Sequence, residues 1–128
     1  MSDIPDATEL LAIARTTLLD KLLPQLPDAL RYDALMIANA MAIAAREQAI
    51  GDAPARAELV RAAALCGEQA LSIGTDSLSA KRAKYKRRLA MHIRAGRFDE
   101  HDRAALLAHL AQTAADELAV SNPRALET

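Results

Sequence analysis

From Asp28 to Ile50 the chain reads as one long helix, and its middle carries almost no polar side chain. Ala34 to Ala45 runs A-L-M-I-A-N-A-M-A-I-A-A, with Asn39 as the single polar position. A helix lying on a protein surface normally shows a polar stripe every three or four residues. The absence of one predicts a helix buried on all sides, with Leu35, Ile37, Ala38, Ala42 and Ile43 inside. The run is too short for a bilayer, which needs about 20 apolar residues.

Helical spacing continues on either side. Thr8 is a candidate N-cap, followed by Leu11, Ala14, Leu18 and Leu22. Pro24 and Pro27 end that first helix and shape a corner. Gly51 suits the residue just past the second helix, and Pro54 the first turn of a third. The third helix carries Leu59, Ala63, Cys66 and Ala70 on one face, with Gly67 as a weak point within it. Ser72 to Ser77 is the longest connection. A fourth helix runs to about Ala95 before Gly96, with Leu78, Tyr85, Leu89 and Ile93 inward. Asp99, Glu100, His101 and Asp102 open a fifth, where acids favour the positive helix start. Its inner face is Leu106, Leu107, Leu110, Ala114 and Leu118, and Asn122-Pro123 closes it.

The expectation is therefore all-α: a single-domain bundle of about five helices, roughly 8–22, 28–50, 54–71, 78–95 and 101–120, with the second buried at the centre. No stretch alternates with period two, and β-branched residues are few, so strands are not expected. Composition agrees. Half of the 128 residues (52%) are hydrophobic, yet there is no Trp, and Tyr32, Tyr85 and Phe98 are the aromatics. Alanine and leucine supply the core, and alanine lets helices approach closely. The one cysteine, Cys66, excludes an intramolecular disulfide. No basic segment followed by an apolar run opens the chain, so the expected compartment is the cytoplasm.

These landmarks resemble an uncharacterised family of small bacterial all-helical proteins, a domain of unknown function. The matching pieces are Leu22-Leu23-Pro24 with Leu26-Pro27, Leu30-Arg31-Tyr32, Ile37-Ala38-Asn39-Ala40 with Arg46-Glu47, Ile93-Arg94-Ala95-Gly96-Arg97-Phe98-Asp99, and Leu118-Ala119-Val120 with Asn122-Pro123. Members are typically encoded beside aminoglycoside-phosphotransferase-like kinases and acyl-CoA dehydrogenases. The resemblance implies an accessory or regulatory role in acyl-CoA or hydroxy-acid catabolism, with such a kinase or dehydrogenase as partner. It brings no catalytic residue. The basic fourth helix departs from the family pattern.

Two constellations invite a functional reading. Asn39, Ile43 and Glu47 recur four residues apart on one helix face, with Arg46 beside it. A buried amide left unpaired costs about 1–3 kcal/mol, so Asn39 either fixes packing register against a neighbour or faces a pocket. In the pocket reading Arg46 meets an anion and Glu47 accepts from a donor, as in a ligand-binding module or small enzyme. The second constellation is Lys81 to Arg88, K-R-A-K-Y-K-R-R, six cations in eight residues. Residues 79–97 hold a formal charge of +8 and the remainder −9, although the whole chain is only −1. Lys81, Lys84, Arg87 and Arg88 form a solvated face that pairs with acids here or on a partner, or a surface for phosphate-bearing anions. Tyr85 alone makes no stacking platform, and no DNA-reading motif accompanies the patch, which argues against nucleic acid.

Other chemistry finds little support. His92, His101 and His109 are scattered without metal-ligand spacing. Cys66 sits among Ala62, Ala63 and Leu65 as a small core residue. There is no GxSxG, P-loop or GxGxxG, and the four glycines are dispersed. No cofactor is implied. A homodimer is compatible with so apolar a second helix.

Overall fold

The computed structural model describes residues 4–68 and 76–127. They are all-α, with no strand among the described residues. The chain separates into two compact units, residues 1–51 with 119–128, and residues 52–118.

The first unit is a helical hairpin. Asp6, rather than Thr8, caps α1 (Ala7–Thr17), its Oδ1 accepting from the Glu9 N–H at 2.8 Å. The helix then widens into a π turn, Leu18–Leu22, and tightens into a 3₁₀ turn, Leu23–Gln25. Pro24 explains the change. It has no N–H to offer the carbonyl four residues back, so the regular ladder cannot continue. The Leu23 N–H bonds the Leu18 carbonyl instead. After Pro27, α2 runs Asp28–Ile50 and ends where the Gly51 N–H bonds the Glu47 carbonyl at 3.0 Å.

α1 packs on α2, and Arg15 Nε fastens the pair by donating to the Ala38 carbonyl at 3.1 Å. Here the expectation of a fully buried second helix fails. Only Ala34 and Ala38 of α2 are buried. Leu35 and Ile37 are 50% and 51% exposed, and Ala42 and Ile43 are half-buried. The two alanines are one turn apart and let α1 come close. α1 covers one stripe of α2 only, and the larger side chains around that stripe stay in water.

The second unit holds the core. α3 (Ala53–Leu65) starts with Pro54 in its first turn and packs on α4 (Leu78–Arg94). Leu59, Ala62, Ala63, Cys66, Tyr85, Leu89, Phe98 and Leu106 form one buried cluster, with Leu65 and Leu78 against it. Each large side chain among them contributes about 1.5–3 kcal/mol by leaving water. Ile93, expected inward, is 41% exposed. α5 (Arg103–Ser121) enters this core through Leu106.

Glycine ends α3 and α4 in the same way. Gly67 (φ 75°) and Gly96 (φ 80°) adopt the left-handed conformation. The next N–H folds back in each case, Glu68 to the Ala63 carbonyl at 2.8 Å and Arg97 to the His92 carbonyl at 3.1 Å. This is the Schellman closure that glycine permits at least cost. Gly67 is therefore a terminator of α3, not a defect inside it, and the helix stops at Leu65 rather than 71. The expected third-helix positions 69–71 and the 72–75 stretch of the connection lie outside the described residues.

α5 also differs from expectation. It begins at Arg103, so the acidic cluster precedes the helix instead of occupying its first turn. Its buried positions are Leu106 and His109, while Leu107 and Leu110 are 55% and 45% exposed. The inward stripe is thus rotated by about one residue from the leucine-rich one, and it brings a histidine inside.

Candidate functional site

Within the second unit, α3 and α5 flank a cleft of about 840 Å³. Alanine makes its walls: Ala57 and Ala64 from α3, Ala105 and Ala108 from α5, with Pro54 and Leu65 beside them. Small side chains on both helices leave the space open. The polar lining is Arg61, Asp102, His109, Gln112 and Asp116. A cleft of this size with a few convergent polar groups is the usual form of a small-molecule site.

His109 is the centre of it. The residue is buried at 6% exposure. Arg61 Nε donates to its Nδ1 at 3.1 Å, and Arg61 Nη2 lies 3.4 Å from Thr113 Oγ1. An Nδ1 that accepts carries no proton, so the neutral ring holds its proton on Nε2. Burial, and then the Arg61 charge, push the His109 pKa below its ordinary value, against a smaller upward pull from Glu58. The imidazole is thereby kept uncharged beside a guanidinium.

His109 also lines a second, smaller cavity of about 70 Å³, together with Glu58, Arg82, Tyr85, Lys86 and Thr113. There the buried Glu58 carboxylate accepts from Arg82 Nε. This ion pair supplies Glu58 with the charge that burial demands. Glu58, Arg61, His109 and Thr113 escape a reading by motif. Their one sequence signal is a polar side chain on a core-facing stripe: Glu58 four residues before Ala62, and His109 three after Leu106.

The sequence-derived candidates are placed differently. Asn39 is exposed, not a buried amide, because α2 has its buried stripe at Ala34 and Ala38. Arg46 is half-buried, and its Nε donates to the Val120 carbonyl at 2.7 Å. Glu47 is exposed. On α4, Arg82 turns to Glu58, and Arg88 donates to Glu68. That contact holds the Glu68 carboxyl below the usual carboxylate range and raises the Arg88 pKa. Lys84 and Arg88 flank the Tyr85 ring at 5.7 and 5.6 Å from its centre. Lys84, Lys86 and Arg87 are exposed, and Lys81 is half-buried. Cys66 lies in the core, where burial raises its thiol pKa. Among the described residues no three His, Cys, Asp or Glu side chains gather as metal ligands, and no helix is long and apolar enough to cross a membrane.

A family model for a domain of unknown function matches residues 24–125, four-fifths of the chain. The chain belongs to that family, DUF6285. The DUF6285 match takes in α2 to α5, hence both the exposed face of α2 and the Arg61–His109 cleft, while α1 precedes it. No curated protein and no solved structure matches the chain.

Proposed function

We propose that this DUF6285 protein is a non-catalytic, cytoplasmic accessory or regulatory subunit, and that α2 is the face it presents to a partner. The observation that carries this reading is the exposure of α2. Tyr32, Leu35, Met36 and Ile37 are 69%, 50%, 48% and 51% exposed in succession around the helix. Large side chains of this kind, grouped on one element, mark interaction surfaces more often than they decorate a free one. Tyr32, Leu35, Met36 and Asn39 share a face by their three- and four-residue spacing. Asn39 then supplies a directional donor and acceptor inside an apolar stripe, which is a means of fixing the register of a docked helix.

The partner class rests on the resemblance drawn from the sequence: a phosphotransferase-like kinase or an acyl-CoA dehydrogenase of acyl-CoA or hydroxy-acid catabolism. The test is co-expression with a phosphotransferase-like kinase and with an acyl-CoA dehydrogenase from the same organism, followed by size-exclusion chromatography. One of the two should co-elute with the wild-type protein, and Leu35→Asp with Met36→Asp should abolish co-elution while leaving the helical circular-dichroism signal intact. Failure of both enzymes to co-elute, or co-elution undiminished by the double change, would sink the reading. If only the change of Lys84 and Arg87 to Ser releases the partner, the docking face is α4 and not α2.

A further inference from the structure

The α3–α5 cleft holds an arginine whose charge has no counter-ion among the described residues. Arg61 lines the cleft, and its two hydrogen-bond partners, the His109 imidazole and the Thr113 hydroxyl, are both uncharged. Neither nearby carboxylate forms a salt bridge with Arg61, although Asp116 keeps its charge within the cleft lining. Glu58, three residues before it, is taken by Arg82, and Asp116 accepts from Gln112 Nε2 at 2.9 Å. The two bonds Arg61 does make fix the plane of its guanidinium and leave N–H groups unused, since the group carries five. A half-buried, oriented cation beside apolar walls is poised for an anion that brings its own apolar body.

We propose that this cleft binds a small organic monocarboxylate, with the carboxylate at Arg61 and the hydrocarbon part along the alanine walls. Charge selects the class. Arg61 is the one cation among the described residues lining the cleft, which Asp102, before α5, and Asp116, one turn past Thr113, also line. Arg61 forms no direct ion pair with either acid, so its open N–H groups offer a place for one carboxylate and no more. A phosphate ester or a dicarboxylate would bring a second charge towards the acids and find no further cation. Alanine at 57, 64, 105 and 108 provides width for a carbon chain. The inference stands on the second unit alone and is independent of whether α2 docks a partner.

Hexanoate is a suitable probe, with hexanol, hexylamine and inorganic phosphate as neutral, cationic and multiply charged counterparts. Calorimetric titration of the full chain should show hexanoate binding at least tenfold more tightly than the other three. Arg61→Gln should reduce hexanoate to the level of hexanol. Ala108→Leu, at an exposed position that tolerates a larger side chain, should abolish binding of both by filling the cleft, and it keeps the test valid if Arg61→Gln fails to fold. Hexanoate should also raise the His109 titration midpoint followed by nuclear magnetic resonance, because an anion at Arg61 offsets the charge that depresses it. Hexanoate no tighter than hexanol, hexanoate binding unaltered in Ala108→Leu, or tighter binding of phosphate would overturn the proposal.

Discussion

α2 has a twelve-residue stretch with a single polar side chain, yet it buries two alanines. α4 carries six cations in eight residues, yet it buries Tyr85 and Leu89 in a cluster shared with α3 and α5. The more apolar of the two helices is thus the less buried, and the difference is the number of neighbours. α2 has α1 along one stripe and, near its end, meets Val120 through Arg46. α3 and α4 pack on each other, and Phe98, together with Leu106 from α5, closes the cluster they share, so the apolar side chains aimed inward meet others from more than one element. Hydrophobic content states what a helix could bury, and the partners decide what it does bury.

That contrast orders the effects of substitution. The heaviest loss should come from Ala63→Asp. Ala63, on α3, is fully buried in the core, so the change both overfills the space and buries an unpaired charge. A loss of about 4 kcal/mol or more is expected, enough to unfold the protein in a denaturant titration. Leu59→Ala follows, at about 2–4 kcal/mol, because it opens a cavity in the same cluster. The counterpart in the first unit, Leu35→Asp, should shift stability by less than about 1 kcal/mol in the same titration, since the side chain it replaces is already half in water. Equal losses for Leu59→Ala and Leu35→Asp would erase the distinction between the units.

His109 gives a subtler contrast through pH. Its folded-state pKa lies below the ordinary histidine value, near 6.5. The unfolded chain therefore takes up the proton first as pH falls. The stability gained from keeping the ring neutral is fully present above about pH 6.5 and declines below it. Melting temperatures followed from pH 8 to pH 5 should drop for the wild type. In His109→Gln, which still offers Arg61 Nε an acceptor, that part of the drop should disappear.

What the sequence made legible was local. Pro27 and Gly51 bracket α2 at the same residues in the pattern and in the structure, and Pro54 marks the start of α3 as expected. Each is a backbone constraint that acts within a few residues. The faces were harder. Leu106, Leu107 and Leu110 all offer themselves as core, and no local rule says that Leu106 and His109 turn inward instead. The cleft was illegible for the same reason. Arg61 meets His109 and Thr113 across separations of 48 and 52 residues, which helical spacing within α3 or α5 does not encode. Asn39 is exposed because an apolar run is buried only where a neighbour covers it, and nothing local encodes which face that is.

The central claim is that the apolar face of α2 is surface, and thiol labelling tests it most directly. Cys66 is the one cysteine of the chain and lies in the core, so it provides an internal reference. In a Leu35→Cys variant, held dilute and without denaturant, a maleimide reagent should modify the introduced thiol nearly as fast as it does in the unfolded chain, while Cys66 stays protected. Protection of the introduced thiol equal to that of Cys66, unchanged on dilution, would show that α2 is buried after all and would contradict the account.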